Sequence, residues 1–164
     1  MNAAARQKAL IFAGRISILE MNQLTSNDMK RVLTVGVFDL LHWGHFELFR
    51  RCKELAGEDG KLIVAVLEDA VVTKYKPQAK LVYDWDKRVR MISALRYVDE
   101  VVPYGDVDVS IKGLDFTTFV VGPDQCHTGF QRAMQWYRDN GREVIVLGRT
   151  QGISSSQLRA GGLR

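Results

Sequence analysis

The chain has 164 residues, of which 46% are hydrophobic and 26% charged, a mixture that is typical of one folded globular domain and excludes disordered and collagen-like chains. No apolar run approaches the roughly 20 residues that a membrane-spanning helix needs, so we expect no membrane partner. The net charge is +4, but residues 1–31 carry five of the 23 basic side chains and the remainder holds 18 basic against 17 acidic ones, so we expect no nucleic-acid partner.

Residues 1–28 are predicted to form a helical N-terminal extension, because their apolar residues are spaced as on one face of a helix. Met29 stands directly before the first predicted strand and remains an alternative start of the protein. The early positive charge is not followed by an unbroken apolar core or a clear cleavage site, so we expect a cytoplasmic protein without a signal peptide. The two cysteines, Cys52 and Cys126, form no CxxC pair and are expected to be reduced thiols.

Residues 29–164 contain short apolar, β-branched runs, each nearly continuous, as in strands that are buried on both faces. The runs occupy residues 32–37, 61–67, 117–122 and 143–148, with one further candidate at 98–104. Apolar residues at helical spacing predict helices between them, over 44–56, 86–95 and 130–140. The alternation predicts a single α/β domain with a Rossmann-like, doubly wound and mainly parallel sheet, which binds ligands outside the carboxyl ends of its strands.

The stretch GVFDLLHWGH, residues 36–45, follows the first strand and leads into a helix, at a position where phosphates meet helix N-terminal amides. Gly36 and Gly44 allow a ligand to approach the backbone closely. His42 and His45, three residues apart, both offer N–H donors to phosphate oxygens. This turn is therefore a candidate phosphate site.

Two other interpretations of the histidine pair stay open at this point. An isolated HxxH is also compatible with one packed ring and one exposed ring. A metal site would need a third ligand, for which Asp39, Cys126 or His127 could be considered. Because no second spaced pair accompanies the histidines, we expect no metal site.

A second candidate lies in GRTQGISSSQLR, residues 148–159, again directly after a strand. Arg149 and Thr150 precede Gly152 and three serines, whose amides and hydroxyls open a short helix. A serine-rich helix cap without any ligand would produce the same pattern. As a binding element, the segment would hold an anion.

A third candidate is the basic loop TKYKPQAK, residues 73–80, with lysines that include Lys74, Lys76 and Lys80. Arg88 and Arg96 follow on and just past the next helix. A solvated charged loop is the ordinary explanation for such lysines. All three candidates nevertheless follow or connect carboxyl ends of strands, so we expect them to converge on one polyphosphate.

Taken in order, GVFDLLHWGH, RYVDEVV (residues 96–102) and RTQGISSS (residues 149–156) resemble the cytidylyltransferase-like nucleotidyltransferases of the HxGH superfamily. The resemblance is greatest to the glycerol-3-phosphate cytidylyltransferases and spans about residues 30–160. It implies a nucleotidyltransferase domain over residues 29–164. A catalytically silent nucleotide sensor is disfavoured, because all the signatures occur together.

The resemblance also implies roles for individual residues. The implied catalytic residues are two phosphate-contacting histidines, one loop lysine and one arginine: His42, His45, Lys76 and Arg149, with Lys74 as the other candidate for the lysine. The implied nucleotide-binding residues follow the strand ends and the signatures: Gly36, Val37, Phe38, Asp39, Gly44, Asp69, Arg88, Arg96, Gly122, Asp124, Arg149, Thr150, Ile153, Ser154 and Ser155.

The implied reaction transfers CMP from CTP to a small phosphorylated polyol, sugar, alcohol or phosphonate, with release of pyrophosphate. Mg²⁺ accompanies the triphosphate, and a homodimer is expected. Val37 stands where the glycerol-phosphate enzymes usually have threonine and resembles the heptose-phosphate adenylyltransferases, so an ATP-dependent enzyme acting on a sugar phosphate or cofactor precursor remains the alternative. Pro123 also departs from the family pattern, so the implied roles transfer least well over residues 122–130.

Overall fold

The computed structural model describes residues 29–75, 77–78 and 80–161. The extension predicted at residues 1–28 and the predicted catalytic Lys76 lie outside these described residues. The sheet has five strands: β1 (Arg31–Gly36), β2 (Lys61–Leu67), β3 (Glu100–Tyr104), β4 (Thr118–Val121) and β5 (Glu143–Val146). All neighbouring strands pair in parallel in the order β3-β2-β1-β4-β5, which confirms the doubly wound α/β prediction, including the additional strand.

The helices are α1 (Trp43–Ala56), α2 (Asp69–Tyr75), α3 (Trp85–Ser93), α4 (Thr128–Asp139) and α5 (Ser155–Arg159). Helix α2 was not predicted, and the basic loop predicted over residues 73–80 is wrong for residues 73–75, which complete this helix. Asp69 in the first turn suits the positive end of the helix dipole, and buried Val72 holds the helix to the domain. Lys74 therefore lies in a last helical turn.

Apolar layers cover both faces of the sheet, because successive residues of a strand point to opposite sides. Leu33, Val35 and Ile63 face one cluster, which includes residues of α4. Val32 and Val64 face the other cluster, which includes residues of α1 and α3. The strands are thus buried on both sides, as their continuous apolar runs predict.

The strand order reverses between β1 and β4, the point at which doubly wound sheets form a ligand-binding crevice outside the carboxyl ends of their strands. The ladder between β1 and β4 ends at the pair Thr34–Val120, whereas the ladder between β1 and β2 continues to Gly36. Beyond the end of the first ladder, the Gln125 side chain spans the two strands. Its Nε2 donates to the Val35 carbonyl (2.9 Å), and its Oε1 accepts from the Gly122 amide (2.8 Å).

Candidate active site

The turn after β1 is shaped by the ring of Phe38. Phe38 has a φ of 53°, an uncommon conformation for a residue with a side chain, and it is 5% exposed. A Cβ on Gly36 would lie 2.7 Å from the Phe38 ring, so only glycine fits beneath it. The ring also contacts His45 and Phe49, each at a centroid distance of 5.2 Å. Packing against the core therefore fixes the path of the chain into α1.

His42 caps the amino end of α1 with its own ring. Its Nδ1 accepts a hydrogen bond from the Gly44 amide (3.1 Å), so in the neutral ring the proton is on Nε2. A Cβ on Gly44 would approach Cε1 of this ring to 2.9 Å, which makes glycine necessary at the second position of the turn. The cap leaves Nε2–H of His42 as an oriented donor.

His45 stacks on His42, with ring centroids 3.8 Å apart and an interplanar angle of 20°. Burial lowers the pKa of His45 to about 3, the neighbouring His42 and Arg149 add to this, and the Leu40 carbonyl opposes it. Burial, followed by the charge of Arg149, also lowers the pKa of His42. Nδ1 of His45 is buried and has no hydrogen-bond partner among the described residues. Both rings are thus neutral near pH 7.

Arg149 brings an exposed positive charge to the histidine pair, as its effect on their pKa values shows. Its Nη1 lies 3.9 Å from Oδ2 of Asp124, a distance at which two exposed groups attract each other only weakly. The guanidinium therefore remains available for a stronger anionic partner. Arg149 and Asp124, which come from distant parts of the sequence, thus lie close to each other on the side of the histidine pair.

The segment after Arg149 packs against the start of α1. A Cβ on Gly44 would lie 3.3 Å from Cγ2 of Ile153, which places this side chain at the histidine turn. Gly152 has a φ of 80°, a conformation that glycine adopts without strain. Ser154 then caps α5 by accepting from the Gln157 amide (3.2 Å). The predicted convergence of the first two motifs is thus observed.

Asp39 is 2% exposed, and protein groups use both of its carboxylate oxygens. Oδ1 accepts from the Val82 and Tyr83 amides, each at 2.9 Å, and Oδ2 accepts from Arg159. Burial alone would raise the pKa of Asp39, but the hydrogen bonds from Tyr83, Arg159 and Val82 lower it overall. The described geometry makes Asp39 a link between loops, and its direct contact with a nucleotide stays a prediction.

Arg88 is fully buried and also binds protein groups. It donates to the carbonyls of Val37 and Leu67, at the carboxyl ends of β1 and β2, and to Asp69. Asp69 in turn accepts from the Trp85 amide (3.0 Å). Arg88 thus ties the carboxyl ends of β1 and β2 to the start of α2 through Asp69, and contact of either residue with a nucleotide likewise stays a prediction.

The remaining predicted basic residues do not join the histidines within the described residues. Arg96 lies between α3 and β3, where the following Asp99 binds the Leu62 amide near the start of β2, so it is at the amino edge of the sheet. Its guanidinium lies 5.2 Å from the ring centroid of Tyr97. Lys74 lies 3.8 Å from an oxygen of Asp106. The predicted role of Lys76 is untested.

Three residues with a place at this edge were absent from the predicted site: Gln125, Arg159 and His127. No local sequence signal marks the first two, whose partners are 90 and 120 residues away. His127 had a signal, since HTG repeats the HWG of residues 42–44. Its Nδ1 accepts from the Gly129 amide (3.2 Å) and caps α4 as His42 caps α1.

The described residues contain no cluster of three or more His, Cys, Asp or Glu side chains that could hold a metal ion. The same part of the chain contains no helix that is both long and apolar enough to cross a bilayer. The side chains described at this edge that can bind a ligand are therefore hydrogen-bond donors, which are neutral in His42 and His45 and positively charged in Arg149.

The sequence is similar to known proteins over most of the part of the chain that the structure describes. The model of the cytidylyltransferase-like family matches residues 33–161, from β1 to just past α5. The glycerol-3-phosphate cytidylyltransferase of Staphylococcus aureus is 35% identical over 134 residues, which cover 80% of this chain and 93% of the relative. The FAD synthase of Methanopyrus kandleri is 39% identical over 98 residues, covering 58% and 64% of the two chains.

A solved structure shares the fold. The lipopolysaccharide core biosynthesis protein of Thermoplasma volcanium superposes with a TM-score of 0.59 at 24% identity, covering 76% of this chain and 99% of that protein. At this level of identity, the likeness supports the fold alone.

The low pKa of His45 leads to a prediction about stability. As the pH falls from about 7 towards 4, the unfolded chain takes up a proton on His45 that the folded protein does not, so the free energy of unfolding decreases. His45→Gln should therefore lose less stability than the wild type between about pH 7.5 and about pH 5. Urea unfolding followed by circular dichroism measures this, with the exposed His127→Gln as the matched control. Equal losses in the wild type and His45→Gln would contradict the burial of a neutral ring.

Proposed function

The chain belongs to the cytidylyltransferase-like family, and from this membership we propose that it transfers CMP from CTP to a small phosphorylated acceptor and releases pyrophosphate. The observation that carries the proposal is the neutral histidine pair beside Arg149, within a chain that is 35% identical to a glycerol-3-phosphate cytidylyltransferase over most of its length. The acceptor class is a phosphorylated polyol, sugar or alcohol, or a phosphonate.

In the proposed reaction, an oxygen of the acceptor phosphate attacks the α-phosphorus of CTP. A new phosphorus–oxygen bond forms, the bond between the α-phosphorus and the bridging oxygen breaks, and pyrophosphate leaves with that electron pair. No proton transfer is required, because an ionised phosphate is already a nucleophile. Catalysis then depends on positioning and on donors that meet the charge developing on the phosphate oxygens.

The described side chains suit this task. His42 holds Nε2–H in a fixed direction because its other nitrogen caps α1, and His45 is fixed by the rings on either side of it. Their neutrality allows both to act as donors without mutual repulsion. Arg149 adds the positive charge for the α-phosphate and the leaving group, and Lys76 has the same proposed role. The amides and hydroxyls of Ser154 and Ser155 would hold the β- and γ-phosphates.

Mg²⁺ would enter with the nucleotide and not through a protein cage. The carboxylates of Asp39 and Asp69 already bind protein donors, and Asp124 lies 3.9 Å from Arg149. The described donor set is therefore rich in N–H groups and fits a metal–nucleotide complex, in which phosphate oxygens and water hold the ion. The ion would neutralise part of the triphosphate charge.

We propose CTP and not ATP as the nucleotide. This choice is supported by the motifs RYVDEVV and RTQGISSS, which resemble those of cytidylyltransferases. The extent of similarity does not decide it, because the FAD synthase of Korarchaeum cryptofilum is 38% identical over 79% of this chain, against 35% over 80% for the cytidylyltransferase. The FAD synthase, whose name gives an adenine dinucleotide as product, supports the second candidate, an adenylyltransferase. The reaction is expected in the cytoplasm, for which the free thiols of Cys52 and Cys126 are suited, and without a nucleic-acid partner.

The nucleotide preference can be measured directly. We expect purified protein with Mg²⁺ to release pyrophosphate from CTP in the presence of one member of a panel of phosphorylated polyols, sugars and alcohols. ATP should give at most a small fraction of that rate with the same acceptor. Turnover with ATP alone would overturn the proposed CTP dependence and establish the second candidate.

The histidine pair can be tested by substitution. His45→Ala should lower kcat by about 10²-fold or more, which is the scale of losing one preorganised donor in the transition state. Arg138→Ala removes an exposed side chain in the last turn of α4, away from this edge of the sheet, and should leave kcat within about twofold of the wild type. Steady-state kinetics with the acceptor identified above measures both variants. A His45→Ala enzyme with the wild-type kcat would show that the pair is structural only.

We also propose that the protein is a homodimer. Trp43 is 57% exposed and stacks on Phe46 with ring centroids 5.1 Å apart, and Phe46 contacts Tyr97, so an aromatic row reaches the surface. Covering this row would bury apolar area that a monomer leaves in water. Light scattering after size exclusion should give twice the chain mass of 18.6 kDa. A single-chain mass at micromolar concentration would contradict the dimer.

A further inference from the structure

Arg159 ends α5 and contacts a residue 120 positions earlier in the chain. Its Nη2 donates to Oδ2 of Asp39, with the arginine side chain 41% exposed and the aspartate side chain 2% exposed. The pair therefore joins a surface residue to a buried charge. Such a charge-assisted hydrogen bond is stronger than one between neutral groups.

The partner of Arg159 is already the meeting point of two other segments. Asp39 follows the strained turn at Phe38 and precedes His42 by three residues. The same carboxylate accepts from the amides of Val82 and Tyr83, which lie before α3. Without Arg159, these two amides would be the remaining described donors to a buried negative charge.

The helix that carries Arg159, α5, is short, and its five residues are not buried in the structure as described. So short a helix is not stable on its own, and most helical stability in proteins comes from packing. The apolar contact of this segment with the histidine turn is the Ile153 side chain beside Gly44. Arg159 supplies the polar contact at the other end.

These two contacts lie on either side of Ser154 and Ser155, which hold the triphosphate in the proposed function. Arg149 lies outside this interval, next to Gly148, whose carbonyl accepts from Arg51 (2.9 Å). The contacts at the two ends of the interval therefore fix the position of the two serines relative to the histidine rings. A loop that is ordered before binding loses less conformational entropy when the ligand binds.

We propose that Arg159 is a positioning residue for the nucleoside triphosphate, which holds residues 153–159, and with them Ser154 and Ser155, against the histidine turn through the buried carboxylate of Asp39. The expected effect of Arg159 on the KM for CTP rests on the proposed function, whereas the anchoring of residues 153–159 does not. Arg159 touches neither substrate in this assignment and acts through the segment that it anchors.

The test compares three variants of the full chain. Arg159→Met keeps the length of the side chain and removes its charge and donors, and Arg159→Lys keeps the charge with a single donor group. Arg138→Met is the matched control, because Arg138 is an exposed arginine in the last turn of another helix, α4. Urea unfolding of each variant establishes that it is folded before any kinetics are compared.

Arg159→Met should raise KM for CTP by about tenfold, on the scale of losing one hydrogen bond to a charged group. The KM for the acceptor should stay within about twofold, and kcat at saturating CTP should fall much less than in His45→Ala. Arg159→Lys should recover much of the loss in KM. Arg138→Met should match the wild type, and an unchanged KM for CTP in Arg159→Met would overturn the proposal.

Hydrogen exchange separates this proposal from the proposed function, because it needs no turnover. Amides of residues 153–160 should exchange faster in Arg159→Met than in the wild type, while amides of β1 and β2 keep their protection. Unchanged exchange in residues 153–160 would overturn the anchoring role even if CTP is the substrate. Faster exchange there in a protein that turns over no nucleotide would support the anchor and overturn the proposed function.

Discussion

The early separation of β1 and β4 is the constraint on which the rest of the site depends. The two strands pair over only three residues, and beyond that point their backbone groups need other partners, since an unpaired buried amide or carbonyl is costly. The Gln125 side chain provides such partners, because it donates to the Val35 carbonyl and accepts from the Gly122 amide. The strands can therefore diverge without exposing unpaired groups, and the turn with His42 and the segment after β4 line the opening.

Charge is distributed unevenly across this edge, and the distribution suits a polyanion. The buried charges of Asp39 and Arg88 are compensated by amides, carbonyls and a salt-bridge partner each, so they shape loops without dominating the field in the crevice. The histidines stay neutral. Among the described residues, Arg149 has one acidic partner, Asp124, at 3.9 Å, and its positive charge is therefore available to a ligand at this edge.

Much of this arrangement was predictable from the sequence, for a physical reason. Continuous β-branched runs identify buried parallel strands, and parallel strands bring all their carboxyl ends to one edge, so motifs that follow different strands must meet. This pattern was therefore sufficient to predict that the GVFDLLHWGH turn lies close to Arg149 and Ile153. The helix α2 was missed because its residues carry mostly polar and β-branched side chains, which give a weak helical pattern.

Other features depend on contacts that leave no local pattern. Gln125 and Arg159 are ordinary polar residues whose roles come from partners far away in the sequence. Asp39 lies in a motif that suggests a ligand-facing carboxylate, and only the packing of residues 82–83 reveals that it is enclosed. Lys76 lies outside the described residues, so its role still rests on the sequence alone.

The cap made by His42 restricts what this side chain can do. The lone pair on Nδ1 is committed to the Gly44 amide, so a proton can be added to the ring only if the first turn of α1 gives up that hydrogen bond. Ionisation of the ring and loosening of the helix start are thus one event. His42 is therefore unsuited to shuttling protons during a reaction cycle, and acts as a fixed dipole whose direction is set by the first turn of α1.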